Sequence, residues 1–94
     1  METSALTSDA RPRLSPHFLF RWEQSQESYI LLYPEGLIKL NPPAGEILKR
    51  CDGERSLAAI IADLQAAFPA QAGEIADGVR AFVELACDKG WLRS

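Results

Sequence analysis

The fold is decided by residues 28–42, which read SYILLYPEGLIKLNP. Residues 28–33 are large and apolar, with two tyrosines, which favours a β-strand. Residues 34–36, Pro-Glu-Gly, predict a tight turn, because proline fixes φ and glycine adopts positive φ. Residues 37–40 then predict a second, short strand. The pair Asn41-Pro42 is typical of a helix start, since asparagine is a good N-cap and proline suits the first helical position.

A further strand is predicted upstream of this stretch. His17 to Glu23 alternate, with Phe18, Phe20 and Trp22 on one face, and a polar turn separates them from residue 28. The three strands together predict a small antiparallel meander. Residues 11–16 contain two prolines and predict an extended lead-in. Residues 1–10 are small and polar and are interpreted as a flexible tail, which leaves 11–94 as one domain.

Three helices are predicted after the strands. The first carries an apolar stripe with helical spacing and ends at Asp52-Gly53. The second is capped by Ser56 and stops at Pro69. The third begins between Gln71 and Ile75 and runs to Lys89. Strands followed by helices in one small domain indicate the α+β class.

The third helix has an unusually broad apolar surface. Between Ile75 and Cys87 its apolar residues cover an arc of about 200° at 100° per residue. Gly78 falls inside this arc. Two interpretations are open: the arc is covered by Trp91, Leu92 and the strands, or part of it lines a groove in which Gly78 leaves room for a partner.

The last strand raises a related question. A three-stranded sheet has two edges, and Leu37 to Leu40 form one candidate edge. An open edge beside an apolar helix face is the geometry of β-augmentation, in which an extended peptide adds a strand to the sheet.

Composition excludes several classes of function. Ten basic against thirteen acidic residues give a net charge of −3, which disfavours nucleic-acid binding. The longest apolar run, Tyr29 to Tyr33, is far short of the ~20 residues that span a bilayer. With one histidine, no Cys-x-x-Cys and no Gly-rich phosphate loop, the chain offers no metal, cofactor or catalytic site. No secretory signal is visible, so the two cysteines predict a reduced, cytoplasmic protein.

A set of short segments follows a specific order and spacing over residues 11–92. These segments are Arg11 to Pro16, Leu31 to Gly36, Leu40-Asn41, Ala44, Glu46 to Leu48, Cys51 to Gly53, Val79, Phe82 and Gly90 to Leu92. In this order and spacing the chain resembles the PqqD family. Two positions depart from the family pattern. Pro43 replaces a small polar residue, and Gly78 stands where an aspartate is common.

The resemblance implies a fold and a function. The implied fold is the winged-helix-like recognition element of ribosomally synthesised, modified peptides. The implied function is that of a chaperone in pyrroloquinoline quinone (PQQ) biosynthesis. It would bind the precursor peptide PqqA and present it to PqqE, a radical SAM enzyme that crosslinks a Glu and a Tyr of the peptide. The peptide would add to the third strand and pack on the third helix, and the implied peptide-binding residues are Leu37, Ile38, Lys39, Leu40, Val79, Phe82, Val83 and Ala86.

Alternatives remain at the level of sequence. Val79, Phe82 and Ala86 could each be core residues. A winged-helix DNA-binding domain would share the fold, but the last two helices carry more acidic than basic residues. The double-proline hinge after Leu40 leaves open a strand-swapped homodimer beside the monomer.

Overall fold

The computed structural model describes residues 7–93. Within this range the elements, in chain order, are β1 (Arg13–Leu14), β2 (Leu19–Glu23), β3 (Ser28–Tyr33), β4 (Gly36–Lys39), α1 (Pro42–Lys49), α2 (Leu57–Ala67), a 3-10 turn (Pro69–Gln71), α3 (Ala72–Asp88) and β5 (Leu92–Arg93). The main sheet is antiparallel, in the order β2-β3-β4. The predicted α+β arrangement, a three-stranded meander followed by three helices, is confirmed. No helix in residues 7–93 combines the length and the apolar character needed to cross a membrane.

A second, two-stranded sheet was not predicted. β1 pairs antiparallel with β5, so Leu14 lies opposite Leu92, and Ser15 N–H donates to the Trp91 carbonyl at 2.9 Å. Each strand has two residues, which is too short for alternation to be visible in the sequence. This pairing joins the predicted lead-in to the end of the chain and holds both beside α3.

The first strand of the meander starts later than predicted. His17, expected at the head of the strand, has a φ of 75°, and Phe18 N–H donates to the Ser15 carbonyl at 3.3 Å. These residues therefore form a turn, and β2 begins at Leu19. The prediction of a strand from His17 was wrong because an alternating pattern of side chains does not show that one of the residues has a positive φ.

The strand register determines which backbone groups of β4 face outward. Leu31 lies opposite Ile38, and Leu40 N–H donates to the Tyr29 carbonyl at 3.0 Å. Hydrogen-bonded pairs alternate along an antiparallel ladder, so Ile38 and Leu40 direct their backbone groups toward β3. The N–H and C=O groups of Leu37 and Lys39 consequently point away from the sheet.

The core lies between the helices and one face of the sheet. Its buried residues are Leu31, Leu40, Ala44, Ile47, Leu48, Cys51, Leu57, Ile60, Ile61, Leu64, Val79, Val83, Ala86 and Leu92. Gly45 lets α1 approach the sheet closely, because a Cβ at this position would lie 2.4 Å from Tyr29 Cδ2. The Tyr29 ring is itself stacked on Phe20, with ring centroids 4.9 Å apart. Any shift of Tyr29 away from α1 would therefore disturb this stacked pair.

The starts of the first two helices follow the predicted capping residues. Asn41 Oδ1 accepts from Ala44 N–H at 2.9 Å, and Ser56 Oγ accepts from Ala59 N–H at 3.1 Å. These contacts fix where α1 starts, and hence where α1 lies beside β4.

The predicted end of the first helix at Asp52-Gly53 was wrong, because Cys51 keeps the spacing of the apolar stripe although its backbone has already left the helix: α1 ends at Lys49, and Gly53, with a φ of 81°, lies in the loop that follows. Gly90, with a φ of 80°, directly follows the C-cap of α3.

The predicted tail falls partly outside the described residues, since residues 1–6 are not described. Of the remainder, the Ala10 carbonyl accepts from Leu57 N–H at 2.7 Å. The Ser8 carbonyl accepts from Ala58 N–H, and its hydroxyl accepts from the Arg80 guanidinium at 3.2 Å. Residues 8 and 10 thus contact the N-terminus of α2 and one side of α3.

Candidate functional site

A large groove opens beside the outer edge of β4. It has a volume of about 720 Å³ and lies between β4, α1, the end of α2 and α3. The walls opposite α3 are mainly apolar and include Ile38, Leu40, Pro43, Ile47, Leu64 and Phe68. Phe68 is exposed although it ends a helix with a buried stripe. Exposed apolar surface of this kind is typical of ligand-binding grooves and interaction sites.

One side of α3 forms the remaining wall of the groove. Its lining residues recur at helical spacing and are Glu74, Ile75, Gly78, Val79, Phe82 and Leu85, and Gln71 lines the groove directly before the helix. Leu85 is 47% exposed, and the half-buried Phe82 ring packs near Trp91, with centroids 6.4 Å apart. The wall therefore combines partly exposed apolar side chains, those of Ile75, Phe82 and Leu85, with the buried Val79 and with small or polar residues.

The four predicted strand residues occupy different positions around the groove. Ile38, Lys39 and Leu40 line it. Leu37 is 58% exposed and does not line it. Alternation places the side chains of Leu37 and Lys39 on the sheet face opposite Ile38, so Lys39 borders the groove only at the strand edge. The backbone of Leu37 still points outward at the edge, as does that of Lys39. The strand segment therefore offers both a free hydrogen-bonding edge and apolar side chains beside it.

The four predicted helix residues divide into two pairs. Val79 and Phe82 line the groove, with Val79 almost fully buried in its floor. Val83 and Ala86 have no exposed surface and are core residues that do not line the groove. Their assignment to the helix face of the groove must be revised, because the packing of α3 turns them toward the core. Ile75, Gly78 and Leu85 take their place, and all three lie on the apolar arc that the sequence indicated.

The acidic side chain on the α1 wall is neutralised within the fold. Glu46 accepts from the Arg50 guanidinium at 2.9 Å, and Arg50 also pairs with Asp63 on α2. The hydrogen bond from Arg50 keeps the pKa of the Asp63 carboxyl below its usual value. Lys39 and Glu74 are the other charged residues that line the groove. Its interior is thus suited to apolar side chains, with charges at the margins.

An edge strand with outward backbone groups beside an apolar groove is the arrangement expected of a protein that binds an extended peptide. Residues 28–92 match the family model of coenzyme PQQ synthesis protein D (PqqD). The chain belongs to the PqqD family. The match covers β3, β4, all three helices and the start of β5, which are the elements that form the groove.

Curated relatives of the PqqD family align with nearly the whole chain. The PqqA binding protein of Azotobacter vinelandii is 44% identical over 89 residues, which cover 95% of this chain and 96% of the relative. The PqqA binding protein of Pseudomonas aeruginosa strain PAO1 is 46% identical over 84 residues, covering 89% and 90% of the two chains.

A solved structure shares the fold. It is the solution NMR structure of the PqqD truncation of Methylobacterium extorquens PqqCD, described as a functional, stand-alone recognition element for ribosomally synthesised, modified peptides. The TM-score is 0.78 over 96% of both chains, with 23% sequence identity. The arrangement of strands and helices is therefore that of a PqqD fold.

Proposed function

We propose that this protein binds the precursor peptide PqqA by adding it as a strand to β4, with alternate peptide side chains in the adjacent groove. The observation that carries the proposal is the open edge of β4 beside an apolar groove of about 720 Å³. Membership of the PqqD family and the similarity to PqqA binding proteins support the choice of peptide.

We further propose that the bound peptide is presented to PqqE in the cytoplasm, and that the protein itself performs no catalysis. In this role the protein raises the local concentration of peptide at the enzyme. The test is to measure PqqA crosslinking by PqqE with and without this protein. A clear rise in turnover is expected, and equal turnover in both reactions would contradict the presentation role.

The strand register allows a specific test of peptide addition to β4. Lys39→Pro removes an outward N–H, whereas Ile38→Pro removes an N–H directed to β3. Since a lost hydrogen bond left unmatched costs ~1–3 kcal/mol, Lys39→Pro should weaken PqqA binding about tenfold or more. Ile38→Pro should instead lower the stability of the sheet.

The measurements are isothermal titration with PqqA and urea unfolding for the wild type and both variants. Unchanged affinity in a folded Lys39→Pro variant would contradict strand addition at β4. Light scattering on the same samples would decide between a monomer and the strand-swapped dimer that the hinge after Leu40 leaves open.

A further inference from the structure

Gly78 is a glycine that the fold of the free protein does not require. It lies in the interior of α3, where glycine is less favourable than alanine. A Cβ at Gly78 would meet no atom within 4 Å. Gly45, in contrast, is required by contact with Tyr29. Neither packing nor a turn therefore explains glycine at position 78.

Gly78 lies in the middle of the groove wall formed by α3. Ile75 precedes it by three residues and Phe82 follows it by four, so both are its neighbours on the same side of the helix. The missing side chain leaves a notch between these two apolar side chains. The notch opens into the groove, because Gly78 is exposed and lines it.

The geometry of strand addition indicates which part of a peptide reaches the notch. A strand added to β4 directs every second side chain to the sheet face that Ile38 and Leu40 share. That face looks into the groove, toward α3. A side chain, and not the peptide backbone, therefore extends toward Gly78. The apolar side chains of Ile75, Phe82 and Ile38 favour an apolar side chain there, while the exposed Glu74, four residues before Gly78, lines the open margin of the same wall.

We propose that Gly78 opens a subsite for one large apolar side chain, leucine-sized or aromatic, of the bound peptide. This subsite rests on the proposed peptide binding at β4 and adds a determinant of selectivity to it. The groove selects a peptide whose large apolar residue falls in register with the notch. A side chain at position 78 would occupy the space that this residue needs.

The test fills the notch and then truncates the apolar side chains of the peptide one at a time. Gly78→Leu should weaken PqqA binding at least tenfold while the midpoint of thermal unfolding stays equal or rises. Gly78→Ala, which adds a single methyl group, should weaken binding about threefold. Gly73→Leu is the matched control, because Gly73 is exposed on the same helix, a Cβ there meets no atom within 4 Å, and it does not line the groove.

Peptides in which each large apolar residue of PqqA is replaced by alanine identify the side chain in the notch. One of them should bind the wild type more weakly and lose no further affinity with Gly78→Leu. If every peptide loses the same factor, or if Gly78→Leu and Gly78→Ala bind PqqA as well as the wild type, the subsite is wrong. If only Lys39→Pro then loses binding, strand addition at β4 is supported and the subsite is not. Unchanged binding in all folded variants would overturn the proposed function as well.

Discussion

The two apolar sides of α3 look alike in sequence but have different partners in the fold. Val79, Val83 and Ala86 form one side, are at most 2% exposed and pack in the core, and of these three only Val79 also forms part of the groove floor. Ile75, Phe82 and Leu85 form the other, about 90° around the helix at 100° per residue, and line the groove. Apolar periodicity alone does not distinguish a helix surface that packs in the core from one that stays open beside a groove.

The largest difference between the two sides should come from introducing a charge. Val83→Asp places a carboxylate where no surface is exposed, which costs several kcal/mol and should leave much of the protein unfolded. Leu85→Asp places the same group at a 47% exposed position and should change stability by less than about 1 kcal/mol. Urea unfolding followed by circular dichroism measures both.

Leu85→Asp should still weaken PqqA binding about tenfold or more, because it puts a charge into the apolar groove. Similar stability losses in both variants would show that the two sides of α3 do not differ in the way described.

A smaller effect on the core side should come from Gly45→Ala. The added Cβ would lie 2.4 Å from Tyr29 Cδ2, so α1 or the stacked Tyr29 ring must shift. Overpacking of this kind costs about 1–3 kcal/mol. Gly73→Ala is the control, because its Cβ meets no atom within 4 Å. Equal unfolding free energies for the two variants would contradict the tight contact between α1 and β3.

The two helix caps sharpen the comparison further. Asn41→Ala and Ser56→Ala each remove one side-chain acceptor from a helix start, and each should cost about 1 kcal/mol of stability. Asn41 also lines the groove, whereas Ser56 does not. Only Asn41→Ala should therefore lower PqqA affinity, by a few fold, when calorimetry is run on both. A matching loss in Ser56→Ala would show that general stability, and not groove shape, sets the affinity.

The smallest expected effect concerns the cysteines. Burial raises the pKa of the Cys51 thiol from 9.0 to about 12, and burial also raises that of the half-buried Cys87. Iodoacetamide at pH 8 should therefore modify Cys87 before Cys51, as peptide mass mapping would show. Because unfolded Cys51 ionises near 9 and the folded thiol near 12, stability should fall as pH rises through this window. Faster labelling of Cys51 would contradict its burial.

Much of the fold could be predicted because its signals are local. Pro34-Glu35-Gly36 and the caps Asn41 and Ser56 mark boundaries by their own backbone preferences, and the structure has them at those places. The β1–β5 pair escaped prediction because it joins two-residue segments from opposite ends of the described chain. His17 was misassigned because its positive φ has no counterpart in an alternating pattern.

The candidate site was less predictable than the fold. Its strand edge followed from the order of elements, but the choice between Val83 and Leu85 depended on how α3 rotates against α2 and the sheet. The broad apolar arc contains both residues, and the sequence does not determine how α3 is rotated about its axis. The close contact of Gly45 with Tyr29 was likewise invisible, because it depends on two residues sixteen positions apart meeting in space.

The central claim is that PqqA pairs with the outer edge of β4, and amide hydrogen exchange tests it most directly. In the isotopically labelled free protein, Ile38 and Leu40 amides should exchange slowly because they face β3, whereas those of Leu37 and Lys39 should exchange fast. Saturating PqqA should slow Leu37 and Lys39 by a factor of about ten or more. Fast exchange at both amides in the saturated complex would contradict strand addition at β4.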